Sequence, residues 1–504
     1  MTRKLFIVAA LWLFSTQTFG GEYIIKNKTN SQLNFSAYQS LTVTDSYPEA
    51  RLTRVKISSK EATPHIIANL LKNPNVEYVV ENFQLQAFRA PVSPAKLKEQ
   101  WAITKINAEK AWRLAGNKGN RQITVAVIDT GVDYNHESLS NNAVDGYDFR
   151  NNDADPMDET SGQNPGHGTH CAGIIGANGV VDGGIIGISP TVSIMPLRFL
   201  GADGSGDLMA GIRAIDFAIE KKAQVISASW GAAVPASQAQ PLIEAVQRAS
   251  DAGVIFVAAA ANDGKNNDRV SMYPANAQFA NTIAVAASGP SDERPNWSNY
   301  GRANVSIAAP GLNIMSTLPS NRYGNLSGTS MATPLVSGLV ALLLAQDPSL
   351  TGADVRALMQ QTGAKVSIET ACDCRIDAGQ AMETLTTGKP FMVPTAQTFA
   401  PNATTDFHVK NGDGFTFSSS NPEIADISES GAFTAKKDGD VTITATNSAG
   451  QKLQSIGIRV ATASSGGGDD GGGLPGLPTD CPIDDPQMCE ILCGIMPEAP
   501  FCQK

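Results

Sequence analysis

Four runs, "ITVAVID" ending at Asp129, "QVISASW" from Gln224, "GVIFVAAAA" from Gly253 and "TIAVAAS" from Thr282, are apolar without alternation and of strand length. Such strands suit a parallel sheet covered on both faces, because each side chain then meets a buried layer. Between them, "GDLMAGIRAIDFAIEKK" and "PLIEAVQRASDAG" carry apolar residues at helical spacing. Strands alternating with helices predict a doubly wound, mainly parallel α/β sheet from "WAITKINAEKAW" to about Met382. We place that domain at 93–388.

The flanks read differently. Residues 21–92 form a small α+β segment, with a helical "ATPHIIANLLKNP" and a strand-like "VEYVVEN". Over 393–461, short alternating runs such as "DVTITATNS" replace the helices, which predicts a separate all-β module. Residues 462–480 contain "SSGGGDDGGGLPGLP", a flexible linker. The tail, 481–504, holds Cys481, Cys489, Cys493 and Cys502 in a stretch too poor in apolar residues for a core. Two disulfides are expected there, with three connectivities open. Cys372 and Cys374 pair with each other or with a distant partner, which leaves Cys171 unpaired.

At the start, Arg3 and Lys4 precede the apolar run Leu5 to Phe14, and small and polar residues follow near Gly20. That layout predicts a signal peptide at 1–20 and an exported chain, extracellular or periplasmic. Ten apolar residues are too few for a bilayer, which takes roughly 20, so no transmembrane segment is expected. With 38 basic and 48 acidic residues the net charge is −10, which argues against a nucleic-acid partner.

Open α/β sheets bind ligands at the carboxyl ends of their strands. The first strand of the core ends in Asp129, an acid that is either a helix cap or part of a site. In "GHGTHCAGIIGA" glycines flank His167 where a helix begins. The chain has five histidines, and His65 and His408 lie outside the α/β core. His136 reads as structural, and His170, one turn after His167, points deeper, so His167 is the best base. Further on, "LSGTSMATPLVSG" enters a buried helix with Ser330 near its tip. A hydroxyl is a weak nucleophile until a positioned base takes its proton, and Asp129, His167 and Ser330 together supply that logic.

"AVIDTGVDYNH", "GHGTHCAGIIG" and "SGTSMATPLVSG", in this order, resemble the three signature blocks of the subtilisin-like serine peptidases. "ISASWG", "AAAAND", "MYPAN", "WSNYG" and "AAPG" extend the resemblance over about residues 100–382. It implies that Asp129 orients the imidazole, His167 is the general base and Ser330 the nucleophile of an acyl-enzyme mechanism. Asn262 would be the side-chain donor of the oxyanion hole. Ser227, Ala228, Ser229, Trp230 and Gly231, with Ala260 and Ala261, would wall the substrate pocket. Pro334 is expected in the first turn, where a missing N–H costs nothing. Two departures stand out: the family usually has glycine where this chain has Ala261, and Cys171 follows His170 as in the proteinase K branch. There the cysteine is a free thiol beside the histidine, and read from the residues alone it is a buried apolar filler.

The loop "YDFRNNDADPMDE" gathers Asp148, Asp153, Asp155 and Asp158. It is similar to a calcium loop of thermitase-like relatives, and clustered hard oxygens suit calcium. A second familiar calcium site has Ser138 in place of its aspartate. The resemblance further implies that 21–92 is an inhibitory propeptide, cut away between about Phe88 and Gln100, and that 393–461 is a bacterial immunoglobulin-like module. The expectation is a secreted, monomeric serine endopeptidase made as a self-processing zymogen, acting on proteins with a broad apolar or aromatic preference. The competing class is a catalytically silent binding protein, against which the intact Asp129, His167, Asn262 and Ser330 argue.

Overall fold

The computed structural model describes residues 22–29, 35–36, 38–47, 51–58, 63–81, 99–161, 165–206, 208–394 and 396–461. The expected signal segment, the maturation region up to residue 98, the linker, the tail cysteines and the side chain of His65 lie outside the described residues. The chain divides into two compact units, Met1–Ala90 and Pro91–Lys504.

In the first unit, strands β1 (Glu22–Asn27), β2 (Leu41–Tyr47), β3 (Leu52–Ile57) and β4 (Val76–Glu81) form one sheet in the order β2-β3-β1-β4. All three pairings are antiparallel. Helix α1 (Thr63–Lys72) contributes Ile66 and Leu70 to a core with Ile25, Val55, Ile57 and Val76.

The second unit opens with α2 (Trp101–Lys105) and α3 (Ala108–Ala115). Its alternating section runs β5 (Thr124–Asp129), β6 (Tyr147–Asp148), α4 (His167–Gly176), β7 (Ser193–Arg198), α5 (Leu208–Glu220), β8 (Val225–Ala228), α6 (Ala236–Asp251) and β9 (Ile255–Ala259). Then come β10 (Thr282–Ser288), β11 (Ile307–Pro310), the hairpin β12 (Ile314–Leu318) and β13 (Arg322–Leu326), α7 (Thr329–Gln346) and α8 (Gly352–Thr362). The section closes with β14 (Ala364–Lys365), β15 (Cys374–Arg375) and α9 (Ala378–Thr386).

One nine-stranded sheet has the order β14-β15-β11-β10-β9-β8-β5-β7-β6, parallel throughout except at its β14 edge. Successive strand residues face opposite sides. In β5, Val125 and Val127 join the layer containing Ile175, Leu335 and Leu339, while Ala126 and Ile128 join that of Ala214, Ile215 and Val246. Helices α4 and α7 therefore cover one face, and α5 and α6 the other. That double cover explains the unbroken apolar runs. The chain leaves β5 toward β7 on one side and β8 on the other, so a crevice opens at the end of β5, beside Asp129.

Helix α7, apolar enough to span a bilayer by length and composition, is the buried core helix of this layer. Beyond α9, β16 (Phe391–Val393) and strands β17 to β26, between Thr398 and Val460, make four small sheets with a core of Phe399, Phe407 and Phe433. The α/β core and the all-β module are as expected. Cys372 and Cys374 are disulfide-bonded to each other, and Cys171 is free and buried.

Candidate active site

Asp129 ends β5 fully buried. Its Oδ1 accepts the Thr130 N–H at 2.7 Å and lies 2.7 Å from His167 Nδ1. That contact directs the other imidazole nitrogen, Nε2, away from the carboxylate. Burial pushes the His167 imidazole down, but the charge and hydrogen bond of Asp129, with Asp158 behind it, outweigh burial and leave it raised.

His167 is the first residue of α4, a position set by an unusual cap. The preceding Gly166 has no side chain to cap with, yet the first N–H groups of a helix need acceptors. Thr130 Oγ1 accepts the Gly168 N–H at 2.9 Å, and Asp158 Oδ2 accepts the Thr169 N–H at 2.8 Å and its hydroxyl at 2.6 Å. Thr130 Oγ1 in turn donates to Asp158 Oδ1 at 2.9 Å. Burial raises the Asp158 carboxyl to about 6 against these hydrogen bonds. Gly168 allows the close approach: a Cβ there would lie 2.1 Å from Gly131 O.

Ser330 is the second residue of α7, and its hydroxyl donates to Ser229 O at 3.1 Å. Pro334 sits past the first turn, inside the helix, contrary to expectation. Lacking an N–H, it leaves Ser330 O without its helical donor. Ser229 Oγ supplies one at 3.0 Å and the Cys171 thiol another at 3.4 Å. Cys171 Sγ also lies within 4.8 Å of side-chain atoms of Asp129 and His167, while Ser330 meets this thiol through its main-chain carbonyl and turns its hydroxyl to Ser229 O. Burial holds that thiol protonated, with Asp129 adding to the effect.

Asn262 follows β9. Its Oδ1 accepts the Thr329 N–H at 2.8 Å and hydroxyl at 3.0 Å, which leaves Nδ2 as the outward donor. A Cβ built on Gly328 would be 3.4 Å from Asn262 Nδ2 and 3.5 Å from Ser330 N, so two N–H groups border one space. Thr329 is the residue that aims Asn262.

Of the expected pocket wall, Ser227, Ala228 and Ala260 are buried in the core, and Ser227 Oγ accepts from Ser337 Oγ. Trp230 donates through Nε1 to Ile128 O and meets Phe199 edge-on at 4.8 Å. Gly231 sits where a Cβ would be 2.8 Å from Tyr273 O. Ala261 has φ +89°. His136 and His170 are structural: His136 bonds Arg322 O, and buried His170 bonds Gly324 O with its imidazole pushed down by burial to about 3.

No three of Asp148, Asp153, Asp155 and Asp158, the expected calcium ligands, bring carboxylate oxygens within 4.8 Å of one another. Among the described residues, the only three or more His, Cys, Asp or Glu side chains with donor atoms all within 4.8 Å are Asp129, His167 and Cys171. Asp148 is committed to Arg198, at 2.8 Å, and to the N–H groups of Arg150 and Asn151. Asp158 is committed to the α4 cap, and Asp155 accepts from the Tyr134 hydroxyl. Asp153 accepts the Asp155 N–H. Asp148 and Asp158 are thus engaged by charged, N–H and hydroxyl donors, while Asp153 and Asp155 are exposed.

Residues 120–379 match the model of the family described as Subtilase family, and residues 390–456 that of Bacterial Ig-like domain (group 2). Thermitase of Thermoactinomyces vulgaris is 40% identical over 277 residues, 55% of this chain and 92% of that one. A thermophilic serine proteinase of Bacillus sp. (strain AK1) is 35% identical over 353 residues, 69% of this chain and 83% of that one. Among solved structures, a protease from Pseudoalteromonas arctica PAMC 21717 shares 27% identity at a TM-score of 0.52, over 59% of this chain and all of the other.

Proposed function

The chain belongs to the subtilase family and is a serine peptidase, and on that premise we propose that Asp129, His167 and Ser330 carry the reaction in an exported, self-processing endopeptidase. The observation that carries the reading is the 2.7 Å contact of Asp129 Oδ1 with His167 Nδ1. With Nδ1–H donated to the carboxylate, Nε2 has its lone pair available for a proton.

In the mechanism, the Ser330 hydroxyl turns from Ser229 O to Nε2 of His167. Its oxygen attacks the scissile carbonyl carbon while its proton passes to the imidazole. Negative charge gathers on the carbonyl oxygen, where Asn262 Nδ2 and the Ser330 N–H would stabilise it. The imidazolium, stabilised by Asp129, then protonates the leaving amine as the C–N bond breaks, giving an acyl-enzyme that water hydrolyses by the same steps. Trp230, Gly231 and Ala261 are the pocket residues available to a substrate side chain.

Export is supported by Arg3, Lys4 and the apolar run that follows, and the first unit is assigned as the inhibitory segment released by the enzyme itself. Wild-type protein is expected to lose its N-terminal segment on expression and to take up a fluorophosphonate label. Ser330→Ala is expected to stay full length and unlabelled, as read by N-terminal sequencing and intact mass. Equal processing of the Ala variant in a protease-free host would sink the proposal.

A further inference from the structure

Helix α8 is buried along nine consecutive residues, Gly352 to Gln360, on every side. A helix buried all round needs cover from two directions. One cover is the catalytic core: Arg356 Nη1 donates to Phe279 O at 3.1 Å, Ala280 O at 2.9 Å and Thr282 O at 3.3 Å, and Gln360 Nε2 to Ser306 O at 2.9 Å. The other cover is the β module. Gln361 Oε1 accepts the Met392 N–H at 3.1 Å while its Nε2 donates to Met392 O, as a neighbouring strand would.

Asp354 lies 3.5 Å from both His408 and Lys410. Arg356 Nη2 reaches Pro394 O at 3.5 Å, and Gln360 Nε2 reaches Gln397 Oε1 at 3.1 Å. Beyond the helix, Gln397 Nε2 and Thr398 Oγ1 each donate to Ala303 O at 3.0 Å. Phe391, Met392 and Val393 are buried in the same core cluster as the catalytic sheet.

We infer that the module is a fixed wall of the peptidase, covering α8, and stays on the active enzyme, rather than being a tethered domain free to bind surfaces elsewhere. A tether would meet the core through few and exposed contacts. Here Arg356 and Gln360 have partners on both sides, and removing the module would break these bonds and expose part of the buried surface of α8 to water.

The test keeps the full chain. A recognition site for a specific protease is inserted at the exposed turn of Gly388, in the Ser330→Ala background, and the folded protein is cut. The two pieces are expected to co-elute on size exclusion in native buffer and to part only in denaturant. Uncut protein is expected to melt in one calorimetric transition across both parts. Gln361→Ala with Gln397→Ala, in the active chain, is expected to lower that melting temperature by several degrees and leave kcat/KM at 25 °C within twofold. Intact mass of the active secreted form should include the module. Separation of the native pieces, two independent transitions, an unmoved melting temperature, or an active form ending before Phe391 would each overturn the inference.

Discussion

Ala261 stands at φ +89°, a backbone region that residues with a Cβ seldom occupy. Its N–H donates to Thr329 Oγ1 at 3.2 Å and its carbonyl accepts from Asn299 N, so neighbours on both sides hold it there. The conformation costs about 1–3 kcal/mol and lies one residue before Asn262, where it helps set the direction of the amide. The sequence shows the departure from glycine at 261, but only the backbone angle shows that the methyl sits on a strained residue. His167 gives a test at the same scale. Its imidazole is raised above 6.5, so kcat/KM is expected to fall as pH drops through a midpoint above that value, where the base gains a proton. Asp158→Asn removes one of the charges that raise it, and should move the midpoint down. It should also cost about 1 kcal/mol of stability, because the amide keeps one acceptor oxygen where the carboxylate uses two. Lower stability with an unmoved pH profile would show that the Asp158 charge does not reach the imidazole.

At the scale of elements, the loop from Asp148 to Asp158 is the place where pattern and packing part. Clustered aspartates read as a cation site, yet Asp148 serves Arg198 at the end of β7, and Asp158 serves the N-terminus of α4. The same letters suit either use, because a carboxylate oxygen can ligate a metal or accept a hydrogen bond from a guanidinium or a helix N–H. Asp148→Asn is expected to destabilise the protein by about 3 kcal/mol by leaving Arg198 with the Glu159 pair alone. The drop in melting temperature should be the same with excess calcium and with EDTA. A drop seen only with calcium would show that Asp148 acts through a bound ion. The strands were legible, since cover on both faces forces apolar residues at every position. Strand β13 of the β12–β13 hairpin, with its exposed and half-buried residues, carries no such signal, and it nevertheless supplies Gly324 O to His170.

For the whole molecule, stability in acid should depend on the contact between core and module. Burial alone would raise the Asp354 carboxyl, but His408, Thr351 and Lys410 hold it down at about 2. An aspartate lowered in the folded state contributes stability that is full above its unfolded value near 4 and is lost as pH falls toward 2. That contribution is about 2 kcal/mol, and Asp354→Asn is expected to flatten the loss of stability between pH 4 and 2 in denaturant titrations. A slope as steep as wild type would mean that His408 and Lys410 do not act on this carboxylate. The alternating core, the all-β module and the buried helix α7 were legible in the chain itself, because strand burial and helical spacing are local patterns, and glycine-flanked polar residues singled out Asp129, His167 and Ser330 as the candidate triad. Packing alone decided that Pro334 frees a carbonyl for Ser229 and Cys171, that the acidic loop caps and pairs, and that the module covers α8. Those outcomes depend on which donors and acceptors, far apart along the chain, are brought within about 3 Å of one another, and no local pattern records that.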